Sequence, residues 1–270
     1  MPSSYTHHRF GTQIISLMPA DIRGPILRHR ALFHMGLQGP DFLFYHNFIK
    51  KTSLFRLGSV YHERSGEFFF TQVCAHQRQA PSEAGFAYLH GLLAHYCLDS
   101  ICHPFVYSMT DDTNLNHSEL ESEFDRYLIE LDGYKKPHEI NICRYMKLQK
   151  EDYAVISGFY PELSAEDVSL CIRNMSMALR LLTLPTAVGH QAVVAFTHFA
   201  GGNTAGMVMS IGPNPKCDHL NSKMLELYNL ALARYPEFLE QLNAHMSYGE
   251  SFGDLFSRNF SHIHYLWGTL

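Results

Sequence analysis

Charge is scarce in this sequence, and so is tryptophan: 17% of the 270 residues are Asp, Glu, Lys or Arg, and one residue is Trp. The formal charge of -5 and a pI near 6.4 leave no basic excess to gather a polyanion, so no stable nucleic-acid partner is expected. No window supplies the roughly 18 uninterrupted apolar residues that a membrane span needs. The opening residues, MPSSYTHHRFGTQIISLM, have no basic start followed by an apolar run and a small-residue cleavage site, which leads us to expect a cytoplasmic protein. The pattern CxxC is absent. Cys74, Cys97, Cys102, Cys143, Cys171 and Cys217 therefore read as reduced, small hydrophobic residues, neither a disulfide frame nor a zinc knuckle.

Alternating strand patterns are also scarce, and we find no repeat, low-complexity tract or domain boundary. At 46% hydrophobic, the chain can bury one large core. We expect an all-α, single-domain multi-helix bundle over residues 1–270. The helical period runs from about Thr6 to Met18, where Pro19 stops it, and from Pro25, suited to a first turn, to Met35. Further helices are expected at about 65–79, 84–103, 116–131 with Asn116 as N-cap, 149–158, 165–183, 188–199, 220–246 and 250–266. Residues 201–219, GGNTAGMVMSIGPNPKCDH, form the longest loop-like stretch, a lid or a connection.

What the sequence has in excess is histidine, 18 residues. Their placement matters because His is the commonest metal ligand and a frequent acid or base. In SEAGFAYLHGLLAHYCLDSICHPF the apolar residues dominate, so the helix is buried on most sides, and His90, His95, Asp99 and His103 each need a partner. His95, Asp99 and His103 stand four apart, on nearly one face. Eight residues of helix rise about 12 Å, too far for His95 and His103 to share one tetrahedral ion. Asp99 lies between them with two oxygens, a spacing that suits a pair of ions. Pro104 is expected to end the helix and leave His103 free to swing inward.

His117 and Glu121 repeat the i, i+4 spacing in NHSELESEFDRY. Alone, such a pair is usually a solvated face or a hydrogen-bonded core pair. Two together, one of them in an apolar helix where unpaired charge is costly, point towards metal. Asp41 after a Gly-Pro turn, His62, and His7 or His8 complete the candidates. The aromatic runs FLFYHNF and GEFFF read as core rather than as a binding surface.

These residues resemble the zinc-dependent phospholipase C family, itself distantly related to fungal zinc nucleases that cut single strands. The resemblance is carried by THHRFG (6–11), GLQGPDFLFYHNF (36–48), LGSVYH (57–62), HGLLAHYCLDSICHP (90–104) and HSELE (117–121), all in the first half of the chain. It implies an all-α fold around a cluster of two or three zinc ions. Asp41, His62, His95 and Asp99 fall at positions holding one zinc in that family, and His103, His117 and Glu121 at those holding a second. His7, with Asp99 as a bridge, falls at the third, His8 being the adjacent alternative. Secreted members also use an N-terminal Trp at the third zinc, and this sequence, beginning MPSSYTHH, lacks it.

Ions a few Å apart can clamp a phosphodiester, lower the pKa of a bound water towards 7 and stabilise a leaving alkoxide. Asp41 is then the candidate for both ligand and general base. Three readings follow. One is a phosphodiesterase acting on phospholipids, in transient contact with a membrane surface. The next is the same chemistry on a nucleotide, nucleic acid or small phosphodiester. The last is a helical protein whose zinc is structural.

Overall fold

The 30-residue helix Glu83–Asp112 spans about 45 Å, and the other helices described below are arranged around it. The computed structural model describes residues 4–47, 51–112, 115–183, 189, 191–195 and 206–260; these are mainly helical and contain no strand, only an isolated bridge between Ser65 and Asn259. In chain order the α-helices of seven or more residues among the described residues are α1 (Ser4–Ile14), α2 (Ala20–Arg28), α3 (Arg30–Gly36), α4 (Ser53–Glu63), α5 (Gly66–Gln79), α6 (Glu83–Asp112), α7 (His117–Leu131), α8 (Lys150–Gly158), α9 (Ala165–Leu182) and α10 (Asp218–Tyr248). Short 3-10 segments add to these, notably Gly39–Tyr45.

Every residue of α6 from Ala87 to His103 is buried, as expected of a helix that is apolar all round. Close approach is possible where α3 crosses it, because a Cβ on Gly36 would stand 2.9 Å from the Cα of Gly91. Along another side runs α10, with the rings of Tyr96 and Phe238 5.9 Å apart. Helix α1 contributes Phe10, edge-on to Tyr228 and Tyr235 of α10. The buried apolar side chains form one continuous cluster. All six cysteines are buried and free, and burial pushes the Cys74 thiol up to about 12, so it behaves as a small hydrophobe.

Several elements depart from the sequence reading. Pro104 does not end its helix, which continues for two turns to Asp112. The preference of a pre-proline residue for extended backbone is modest, and burial of Val106 beyond it favours continuation. Pro25 lies inside α2, and the stretch expected as one helix from Pro25 to Met35 is broken at His29, whose φ/ψ of -112°/42° is not helical. Helix α4 was not expected, because Gly58 dilutes its propensity; Thr52 caps it by accepting from the Phe55 N–H. Residues 250–260 form a 3-10 turn at Asp254–Phe256 flanked by irregular chain rather than a helix. The remainder of the helix expected at 250–266, and much of that at 188–199, fall outside the described residues. Asn116 does cap α7, accepting from Glu119 N at 2.8 Å. The aromatic runs are core except Phe44, partly buried, and Phe68, 43% exposed; Phe48 falls outside the described residues.

Candidate metal centre

Five elements deliver the candidate side chains to one buried region. Gly39 has φ +51°, a left-handed conformation that favours glycine, and with Pro40 at the first turn it starts the 3-10 segment that presents Asp41. From α9, Asn174 Nδ2 donates to the carbonyls of Tyr45 (2.9 Å) and His46 (3.2 Å), pinning the end of that segment. His62 comes from α4, His95, Asp99 and His103 from α6, His117 and Glu121 from α7, and His7 from α1.

Three groups result in which each residue offers a ligand atom within 4.8 Å of the others: Asp41, His62 and His95; His7, His95 and Asp99; and His103, His117 and Glu121. His62 Nε2 is 2.8 Å from Asp41 Oδ1. Asp99 faces both ways along α6, Oδ2 lying 3.1 Å from His95 Nε2, and Oδ1 3.2 Å from His7 Nε2 and 3.7 Å from His103 Nε2. Glu121 Oε1 stands 3.2 Å from His103 Nε2 and 3.0 Å from His117 Nε2. His95 and His103 thus sit in different groups, and Asp99 is the link between them. His103 reaches its neighbours from within the helix.

Several observations test whether these residues suit a cation. The Nε2 atoms of His62, His95 and His117, Asp41 Oδ1, Asp99 Oδ2 and Glu121 Oε2 are buried without a hydrogen bond, although several lie near 3 Å from one another. Lone pairs that converge without meeting donors are what a shared cation would satisfy. The other ring nitrogens give the same indication. His62 Nδ1 lies 2.7 Å from the Gly58 carbonyl, His95 Nδ1 3.1 Å from that of Leu37, and His103 Nδ1 against that of Phe260. A carbonyl only accepts, so Nδ1 carries the proton and a neutral ring turns the Nε2 lone pair inward, the usual support of a metal-binding histidine. A void of about 20 Å³ lies among His7, Asp99, His103 and Glu121, enough for one small ion or water. The residues fit.

Without added positive charge, the protons redistribute. Burial opposes the charged form of each carboxyl, yet Asp99 is held well below its ordinary value by His103, His95 and His7. Glu121 is held low by His117 and His103, and Asp41 by His62 and His95, again against burial. Burial would lower His103, but Asp99 and Glu121 outweigh it and push that imidazole up to about 10. A protonated histidine thereby takes up part of the charge that a cation would bring.

Between the two neighbouring histidines of α1, the fold distinguishes clearly. His7 is buried and stacked on His95 with centroids 4.4 Å apart; His8 turns away to His34 and Tyr145. His90 faces away from the groups, its Nδ1 on the Phe86 carbonyl at 2.8 Å. The described part of the long loop, from Gly206, backs α7: Ser122 Oγ donates to Gly206 O and Asn214 Nδ2 to Glu119 Oε1. Glu119 is about 200° around the helix from His117, so the loop at Asn214 lies behind the ligand face. A larger cleft of about 220 Å³ lies beyond Asp125, lined by Ile129, Ile142, Leu179 and Met209 among others, and contains none of the three groups.

Sequence reading missed the supporting groups. Backbone carbonyls leave no sequence signal. Phe260, fully buried with its ring 5.8 Å from His95 and 5.5 Å from His62, is one aromatic among many. Asp125 had a fainter signal: one turn beyond Glu121, it is a carboxylate on the buried side of α7.

No described helix is long and apolar enough to cross a membrane. Neither the curated proteins nor the solved structures contain a match to this sequence. A family model described as zinc dependent phospholipase C matches residues 6–178, which include the segments contributing all three groups. With well over half of its length matched, and with the buried histidines and carboxylates brought together, the chain belongs to the zinc-dependent phospholipase C family.

Proposed function

We propose that this protein is a phosphoric diester hydrolase that uses two or three zinc ions held by His7, Asp41, His62, His95, Asp99, His103, His117 and Glu121, within a single domain over residues 1–270. The observation carrying this reading is the placement of Asp99, whose two oxygens face histidines of different groups, Oδ2 lying 3.1 Å from His95 and Oδ1 3.2 Å from His7 and 3.7 Å from His103. A structural zinc is closed by its own four ligands; a carboxylate shared through its two oxygens instead holds ions close enough to act on one phosphate. When bound, such ions supply Lewis-acid stabilisation of the phosphoryl oxygens and of the leaving alkoxide, and acidify water.

The chain's own residues have separable tasks. The Nδ1 contacts of His62, His95 and His103 with carbonyls fix each ring, so the donor geometry exists before substrate arrives. Asp99 spaces the groups along α6. Phe260 excludes water behind His95, which strengthens the electrostatics of the site. Asp41 is both a ligand and the proposed general base that takes a proton from the attacking water. Asp41→Asn with zinc retained and turnover unchanged would exclude the base role.

The favoured substrate is a phospholipid, cut between diacylglycerol and the headgroup phosphate in transient contact with a membrane surface. Purified protein with its zinc content measured should be assayed on phospholipid micelles, a bis-aryl phosphodiester and single-stranded DNA. Turnover of the micelles with release of phosphorylated headgroup supports the proposal. Turnover of only the aryl diester or the DNA transfers the chemistry to a small diester or nucleic acid, and zinc-loaded protein inactive on all three defeats the hydrolase reading.

A further inference from the structure

We infer that Asp125 is a positioning residue for the candidate metal centre, the group that sets His7 against Asp99 by holding the first turn of α1. This rests on the metal-binding reading above. Asp125 is fully buried on α7, one turn past Glu121. Its side chain receives the backbone N–H of Tyr5 on Oδ2 at 3.1 Å, and the backbone N–H (2.8 Å) and hydroxyl (2.5 Å) of Thr6 on Oδ1. The first turn of a helix has N–H groups with no partner inside the helix, usually met by a cap from the preceding residue. Here a carboxyl group from another helix meets two of them.

The next residue is His7, with Nε2 3.2 Å from Asp99 Oδ1. One stretch of α7 thus carries Glu121, in the His103 group, and Asp125, which sets the entry of α1. The spacing between the His7 and His103 groups is fixed through it.

A second tie between the same helices allows a comparison. Arg9 of α1 makes two bonds, 2.8 and 2.9 Å, to Asp132 at the end of α7, and the Tyr5 hydroxyl donates to the same carboxyl. That pair is partly exposed at the rim, Asp132 at 26%, where ion pairs contribute little. If α1 merely needed fastening, either tie would serve. If His7 needs its backbone fixed, only the buried one next to it matters.

The test measures zinc content and chelator competition for wild type, Asp125→Ala, Asp125→Asn, Asp132→Ala, His7→Ala and the double variant Asp125→Ala/His7→Ala, with hydrogen exchange at the Tyr5 and Thr6 amides in metal-free protein. Asp125→Ala should lose those amides' protection and release one zinc equivalent about 10- to 100-fold more readily than wild type, the usual effect of removing a supporting group. His7→Ala should release the same equivalent, and the double variant no more than either single one. Asp125→Asn, whose single oxygen still accepts from Thr6, should recover most of the affinity even if the alanine variant folds poorly; Asp132→Ala should match wild type. Wild-type zinc retention in a folded Asp125→Ala, or additive losses in the double variant, would overturn the inference. Wild type that takes up no zinc while Asp125→Ala still deprotects the two amides would instead refute the metal reading and leave the α1 anchor standing.

Discussion

Gly39→Ala is the sharpest perturbation of the centre that replaces no candidate ligand. Gly39 sits at φ +51°, where a Cβ costs about 1–2 kcal/mol. The added methyl would also overlap the imidazole of His95 at Cδ2 and Nε2. Neither the turn nor the ring can yield freely, because Pro40 follows and His95 is fully buried with Nδ1 on the Leu37 carbonyl. Overpacking of this kind costs about 1–3 kcal/mol more. Gly133→Ala is the matched control: Gly133 has φ +88° and nothing within 4 Å of an added Cβ, so it incurs the backbone cost alone. Thermal unfolding should therefore fall further in Gly39→Ala than in Gly133→Ala, by roughly 2–12 °C for that difference at this chain size. The larger effect should appear in metal content, since displacing His95 disturbs two groups and leaves His103, His117 and Glu121 intact. Equal melting points and equal zinc in the two variants would refute the reasoning.

Further outcomes follow from the same geometry. His7→Ala should lower zinc content or affinity and His8→Ala should not, because only His7 faces Asp99; metal analysis of the two decides, and equal losses would contradict it. Burial, with Glu121 adding to it, pushes the Asp125 carboxyl up to about 8 in the metal-free protein, against the pull of the Thr6 and Tyr5 donors. The unfolded chain releases that proton near pH 4, so between about pH 4 and 8 the native state binds more protons and stability falls as pH rises. Urea midpoints of metal-free wild type should decline from pH 5 to pH 8 more steeply than those of Asp125→Asn; parallel slopes would count against the assignment.

The all-α class was legible because apolar period and capping agree over long stretches, as in α7 with its Asn116 cap and the apolar face of α9. Boundaries were less so where a local preference competed with burial. Pro104 should have stopped α6 by local rules, but the residues beyond it have a core to bury. Gly58 hid α4, although that glycine lets the segment pass Phe44, where a Cβ would stand 3.0 Å away. Within the candidate centre, spacing along one helix separated His95 from His103 before any fold was known. Which distant residues join them depends on tertiary approach: the entry of α1 that brings His7 to Asp99, and the turn at Gly39 that brings Asp41 to His62. The carbonyls of Leu37, Gly58 and Phe260 could not be read, since any residue supplies one.

Anomalous scattering on a zinc-loaded crystal, measured on both sides of the zinc edge, tests the central claim most directly. At least two separate ions should appear. One should be bound by His103, His117 and Glu121, and another by His95 with Asp41 and His62 or with His7 and Asp99. A single ion, or any ion bound by both His95 and His103, would contradict it.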